Sequence, residues 1–247
     1  MPANAPIILV PGAWTRAAAF DDVRDALKAG GHPTEVLELP ARTRRLAQLD
    51  RGGLRAIDAT LDEHIAGYPE PPVLIGHSLG GLMALRASRR HTIQALILLM
   101  PAPPTGMLPN AFGNAVKHPY NTFRMLGAAF SVTLGTRLGF APPDGLYSST
   151  VTPETLARGA AYRVDESWTV LAALALGSRE PVQPVGAPTL VIAGHQDRFT
   201  PTRVLRPLAA ALEADLLEFN VAHAFNEEPT HTLVTDAVLR FLANTDR

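Results

Sequence analysis

Residues 73–88 read VLIGHSLGGLMALRAS: an apolar run, a serine framed by Gly76, Gly80 and Gly81, then a run with helical spacing. A plain strand-to-helix connection needs only a short polar turn. Glycines on both sides of one serine imply backbone segments passing too close for side chains, with the serine left outside a sharp corner. Such a corner needs a buried strand before it and a packed helix after it, so the stretch predicts an α/β architecture.

The rest of the chain fits that frame. Apolar runs of strand length recur at Ile7–Val10, Glu35–Leu39, Val73–Ile75, Ala95–Met100, Thr189–Ala193 and Leu216–Phe219. Several are apolar throughout, as strands covered on both faces are. Helical periodicity fills the gaps at Ala18–Ala29, Leu54–Ala66, Leu79–Arg90, Arg203–Leu212 and Thr230–Leu242, with Pro207 marking an end or distortion in the fourth. The alternation predicts a mostly parallel sheet of about six strands, with right-handed crossovers and helices on both faces.

One interval breaks the rhythm. Between Met100 and Thr189 lie 88 residues, where a crossover needs only a dozen or so. The segment is rich in Pro, Gly and aromatic residues, with helix-like pieces near Asn110–His118, Asn121–Leu134, Pro153–Arg163 and Glu166–Leu176. The expectation is a helical cap at 102–184 inserted in a core domain of residues 1–101 and 185–247.

Composition narrows the function classes. Apolar residues make up 47% and charged residues 18% of the 247, with a formal net charge of −1. That suits a compact globule and argues against a nucleic-acid partner, which would require a basic excess. The chain has no cysteine, which rules out disulfides and thiolate metal sites and suits a reducing compartment. The first residues carry no basic, apolar leader, and the longest apolar run is far below the roughly 20 residues of a membrane span. A cytoplasmic protein without membrane association is expected; the oligomeric state is left open.

Gly76-His77-Ser78-Leu79-Gly80 matches G-x-S-x-G, the nucleophile elbow, in which a strained turn lifts a serine hydroxyl above the sheet edge. The N–H of Leu79 then lies at a helix N-terminus, where negative charge is favoured. A serine needs a base, and the base an orienting acid. Asp197 follows one apolar strand and His223 the next, so both fall on the rim that carries Ser78. PAPP at 101–104 offers no competing acid after the preceding strand. His195 and His231 read as surface histidines.

With these residues in place, the chain resembles the α/β-hydrolase fold superfamily. The likeness rests on GHSLGG at 76–81, on G-x-x-D-x-x-x-P from Gly194 to Pro201, and on the His223 loop followed by a helix ending VLRFL. It implies Ser78 as nucleophile, Asp197 as acid and His223 as base. It also implies an oxyanion hole from the backbone N–H groups of Ala13 and Leu79. Pro11 stands where the family usually has histidine, but a backbone donor survives that change. The family's full sheet has two further strands ahead of Ile7, and six residues leave no room for both.

Ser78 argues against the dehalogenases and epoxide hydrolases of the superfamily, which use an aspartate. Hydroxynitrile lyases carry Thr and Lys where Gly12 and Ala224 stand here, so the chain is more similar to the related small-molecule methyl esterases. The resemblance implies hydrolysis of small to medium, mainly uncharged esters without cofactor or metal. Non-hydrolytic use of the same pocket and slow-turnover ligand binding are the alternatives. Substrate contacts are expected from Trp14 and from cap aromatics, chiefly Phe123, Phe130, Tyr162 and Trp168, drawn from a set that includes Phe112, Met125, Phe140 and Tyr147. Arg42, Arg44 and Arg45 are a solvated loop face or a contact for an anionic tail.

Overall fold

The computed structural model describes residues 5–40, 53–108, 119–178 and 181–245. Arg42, Arg44, Arg45, Phe112 and the helical piece expected at 110–118 lie outside the described residues.

Six strands form one sheet: β1 (Ile7–Val10), β2 (Thr34–Val36), β3 (Val73–His77), β4 (Ala95–Leu99), β5 (Thr189–Gly194) and β6 (Asp215–Phe219). Their order is β2-β1-β3-β4-β5-β6, and every pairing is parallel. Strand β2 is shorter than its apolar run, and the N–H of Leu37 adds one further bond to the Leu9 carbonyl at 2.8 Å.

The uninterrupted apolar strands are explained by burial on both sides. Ile8, Val10, Leu74, Leu96, Leu98 and Val191 point to one face, where α2 (Leu54–Ala66), α3 (Leu79–Ala87) and α7 (Thr202–Leu212) supply Ile57, Leu61, Leu82 and Leu205. Ile7, Leu9, Ile75, Ile97 and Ile192 point to the other, against Phe20, Val23 and Leu27 from the α1 (Asp21–Ala29) side and Val234, Val238 and Leu242 of α8 (His231–Thr245). Each such side chain contributes about 1.5–3 kcal/mol relative to leaving it in water. Edge strand β6 is only half covered.

Details depart from the periodicity. Residues 17–20 form a 3₁₀ turn ahead of α1, and α3 stops at Ala87. Helix α7 runs through Pro207.

Between β4 and β5 lie α4 (Pro119–Arg137), broken by extended backbone at Ser131, then α5 (Pro153–Ala161) and α6 (Trp168–Leu176). Thr152 and Ser167 cap the last two, each accepting a backbone N–H three residues on. No helix among the described residues is long and apolar enough to cross a membrane. Because the strands are parallel, their carboxyl ends share one rim, and the loops leaving β1, β3, β5 and β6 meet there below the insertion.

Candidate active site

Ser78 directly follows β3 and is the N-cap of α3, with φ 52° and ψ −117°. A positive φ on a residue with a Cβ costs on the order of 1–3 kcal/mol and persists only where the surroundings enforce it. Here they do. A Cβ on Gly80 would lie 2.0 Å from the Val10 carbonyl oxygen, and one on Gly76 would lie 2.3 Å from that of Gly80. Strand β3, the turn and the β1 loop are in backbone contact.

The Ser78 hydroxyl lies 3.0 Å from Nε2 of His223. Nδ1 of the same ring lies 2.8 Å from Oδ2 of Asp197. A carboxylate only accepts, so Nδ1 carries the proton and Nε2 is left to accept from Ser78. Asp197 and His223 are both buried. Burial works against the Asp197 charge. The adjacent His223 ring, with the Thr200 hydroxyl at 2.7 Å and the Thr200 N–H at 3.0 Å, outweighs burial and holds the carboxyl below the usual aspartate range. Phe199 stacks on the His223 ring with centroids 4.9 Å apart.

His77 supports this arrangement from beneath. Its Nε2–H donates to the His223 carbonyl at 2.9 Å. Burial, then the nearby His223, pushes its pKa down to about 3, so the ring is neutral.

The N–H of Leu79 is the first of α3, where no intrahelical acceptor exists. Ala13 lies beside the same serine: a Cβ on the preceding Gly12 would sit 3.2 Å from the Ser78 Cβ. Ala13, Ser78 and His223 line a cavity of about 260 Å³. Its wall includes Trp14, and from the insertion Met125, Ala128, Leu146, Leu171 and Leu174.

Trp14 lines the cavity, with φ 59°. Four expected contacts do not line it. Phe123 is 72% and Phe130 65% exposed, because the inward face of α4 is Thr122, Met125, Ala128 and Val132, a spacing that turns 123 and 130 outward. Trp168, at the first position of α6, meets Phe130 with centroids 6.1 Å apart, outside the cavity. Tyr162 ends α5 and packs against the cluster of Phe20 and Phe225. His195 is surface exposed, 3.8 Å from Glu218, and His231 starts α8.

Two wall residues escaped the sequence reading. Arg163 and Glu227 pair through two hydrogen bonds of 2.8 Å, with side chains 9% and 1% exposed. Sixty-four positions apart, they leave no pattern in the sequence. The cavity-facing positions of α4 recur every three or four residues, a signal that was available.

The sequence matches the alpha/beta hydrolase family over residues 7–237. The chain belongs to that family. This alpha/beta hydrolase finds no match among curated proteins. Solved structures resemble it along its length. MenH from S. aureus is 17% identical, with 100% of this chain and 96% of that one covered at a TM-score of 0.73. A monoacylglycerol lipase from Paleococcus ferrophilus is 21% identical, with 97% and 94% covered at 0.69. An esterase from Exiguobacterium antarcticum is 15% identical, with 98% and 93% covered at 0.72. At these identities the likeness is one of fold.

Proposed function

We propose that this protein is a serine hydrolase that cleaves small to medium, mainly uncharged carboxylic esters through an acyl-enzyme. The observation that carries the reading is the chain of contacts from Ser78 to His223 (3.0 Å) to Asp197 (2.8 Å) at the wall of an apolar cavity. Ser78 Oγ bonds to the ester carbonyl carbon while its proton passes to Nε2 of His223. Asp197 holds the tautomer and stabilises the imidazolium. The N–H groups of Ala13 and Leu79 receive the oxyanion, a donor of this kind being worth about 2.7–4 kcal/mol. The carbon–oxygen bond breaks and the leaving alkoxide takes the proton from His223. Water, deprotonated by the same nitrogen, then attacks the acyl carbon; the bond to Ser78 Oγ breaks, Oγ takes the proton back from His223, and the acid leaves.

In this reading residues 102–184 are a cap whose inner face selects the acyl or alcohol group, on a core of residues 1–101 and 185–247. The esterase and lipase among the structural relatives lend support at the level of fold.

The test is a panel of p-nitrophenyl esters, thioesters and lactones, run on the protein and on Ser78→Ala side by side, with mass spectrometry of a fluorophosphonate adduct. Steady ester turnover lost in Ser78→Ala, with the adduct on Ser78, is the expected result. Turnover indifferent to that substitution ends the mechanism, and a stoichiometric burst followed by arrest would identify a ligand-binding protein.

A further inference from the structure

The loop that carries Ala13 does not hold itself. Trp14 keeps a left-handed backbone, a conformation that needs outside support. The support comes from residues 162–164, just past α5 in the insertion. The N–H of Arg16 donates to the Tyr162 carbonyl at 3.0 Å, and that of Val164 to the Trp14 carbonyl at 3.0 Å. Between them Thr15 and Arg163 form an antiparallel bridge. A two-bond ladder on a residue in strained geometry fixes where the preceding N–H groups point.

The His223 loop is held from the same insertion. The N–H groups of His223 and Ala224 donate to the carbonyls of Gly145 and Leu146 at 3.0 and 2.7 Å. Four residues past His223, Glu227 takes both bonds of the Arg163 fork. Tyr147 closes the cluster: its hydroxyl donates to Glu227 at 2.5 Å and accepts from Arg163 at 2.6 Å. Burial alone would lower the Arg163 pKa, and the Glu227 carboxylate more than offsets it. Tyr162 and Val164, on either side of Arg163, thus hold the oxyanion loop through their backbone, while the Arg163 side chain reaches both loops, donating to the Thr15 hydroxyl at 3.4 Å and to Glu227 at 2.8 Å.

We propose that Arg163 is a positioning residue for the hydrolytic step, setting the oxyanion donor of Ala13 and the ring of His223 in register through its side-chain bond to the Thr15 hydroxyl and its paired bonds to Glu227. The assignment rests on the ester-hydrolysis reading above. Its chemical logic is geometric fit: an attack geometry displaced by about 1 Å can cost on the order of 10²-fold in rate. A planar fork with two parallel bonds fixes angle as well as distance, which a lysine ammonium does not.

The experiment uses full-length Arg163→Met, Arg163→Lys, Tyr147→Phe and Ser78→Ala. Readouts are thermal midpoint, kcat and KM on p-nitrophenyl acetate, whose acyl group is too short to reach along the cavity, and the rate of fluorophosphonate labelling of Ser78 at 25 °C. Arg163→Met is expected to lower kcat and the labelling rate together by about 30-fold or more, with KM within about threefold, and Arg163→Lys to recover only part of the loss. A lowered thermal midpoint with unchanged kcat and labelling rate per folded molecule would make Arg163 merely structural and overturn the proposal. A change in KM alone would make it a substrate contact and overturn it as well. Should Arg163→Met not fold, Tyr147→Phe decides, since it loosens the fork and leaves the ion pair: lowered kcat with a nearly unchanged midpoint supports the proposal, and unchanged kcat refutes it. Ser78→Ala separates the two claims. Retained turnover there sinks the esterase mechanism whatever Arg163 does, whereas normal Ser78 dependence with indifferent Arg163 variants sinks only the positioning role.

Discussion

His77 and His223, 146 positions apart, are joined by one hydrogen bond, from Nε2–H of the first to the carbonyl of the second at 2.9 Å, and their rings lie 4.8 Å apart. The bond itself would survive protonation, but burial, then the nearby His223, keeps the ring neutral, with a pKa pushed down to about 3. The unfolded chain, with an ordinary histidine pKa near 6.5, takes up a proton that the folded protein refuses.

Stability supplied by His77 is therefore full above about pH 6.5 and is lost as pH falls toward 3, at up to about 1.4 kcal/mol per pH unit. His77→Gln, which retains a donor but does not titrate, is expected to be less stable at pH 7 yet to lose less on acidification. Urea unfolding at pH 7, 6 and 5 compares the two slopes; equal slopes would refute the assignment.

In the proposed mechanism Asp197 orients His223 only as an acceptor, across a contact of 2.8 Å. Asp197→Asn offers an N–H toward Nδ1 and favours the opposite tautomer, so kcat is expected to fall by about 10³–10⁴ with KM little changed. Steady-state kinetics on p-nitrophenyl acetate, with circular dichroism to show an intact fold, checks this. A loss below tenfold would mean that the carboxylate is not the orienting group.

The Gly76→Ala Cβ would meet the backbone of Gly80 and Gly81 at 2.3 and 2.6 Å. Backbone in a packed turn cannot rotate aside, so the substitution is expected to cost about 3 kcal/mol or more. Denaturant titration measures it, and a loss under 1 kcal/mol would show that the turn yields.

Helix α4 separates its faces. Ala128 lines the cavity and Phe123 is exposed. Ala128→Trp is expected to cut kcat/KM for hexanoyl and longer p-nitrophenyl esters by about tenfold or more and to spare the acetate, whereas Phe123→Ala leaves the profile within about twofold. Chain-length profiles of the two variants settle which face meets substrate.

What was legible in the sequence follows from how each signal is written. The sheet was, because strands such as Ile7–Val10 and Ala95–Leu99 are buried on both faces and carry no polar residue. The proximity of Ser78, Asp197 and His223 was too, because each comes within a few residues of a strand end and parallel strands gather their carboxyl ends on one rim. Phe123, Phe130, Tyr162 and Trp168 misled because aromatic character says nothing about direction, which on a helix is set by phase. The clustering of Arg163 and Glu227 with Tyr147 was invisible because their meeting is tertiary. Each alone is an ordinary polar residue in an insertion or loop.

The carbonyls of Gly145 and Leu146 that anchor His223 and Ala224 carry a consequence for engineering. The β4–β5 insertion is not a cassette to be traded for that of another scaffold with the chemistry left behind. A chimera cut at its ends discards part of the frame on which the histidine hangs, so recombination that spares reactivity must retain 145–147 and 162–164 and restrict exchange to α4 and α6.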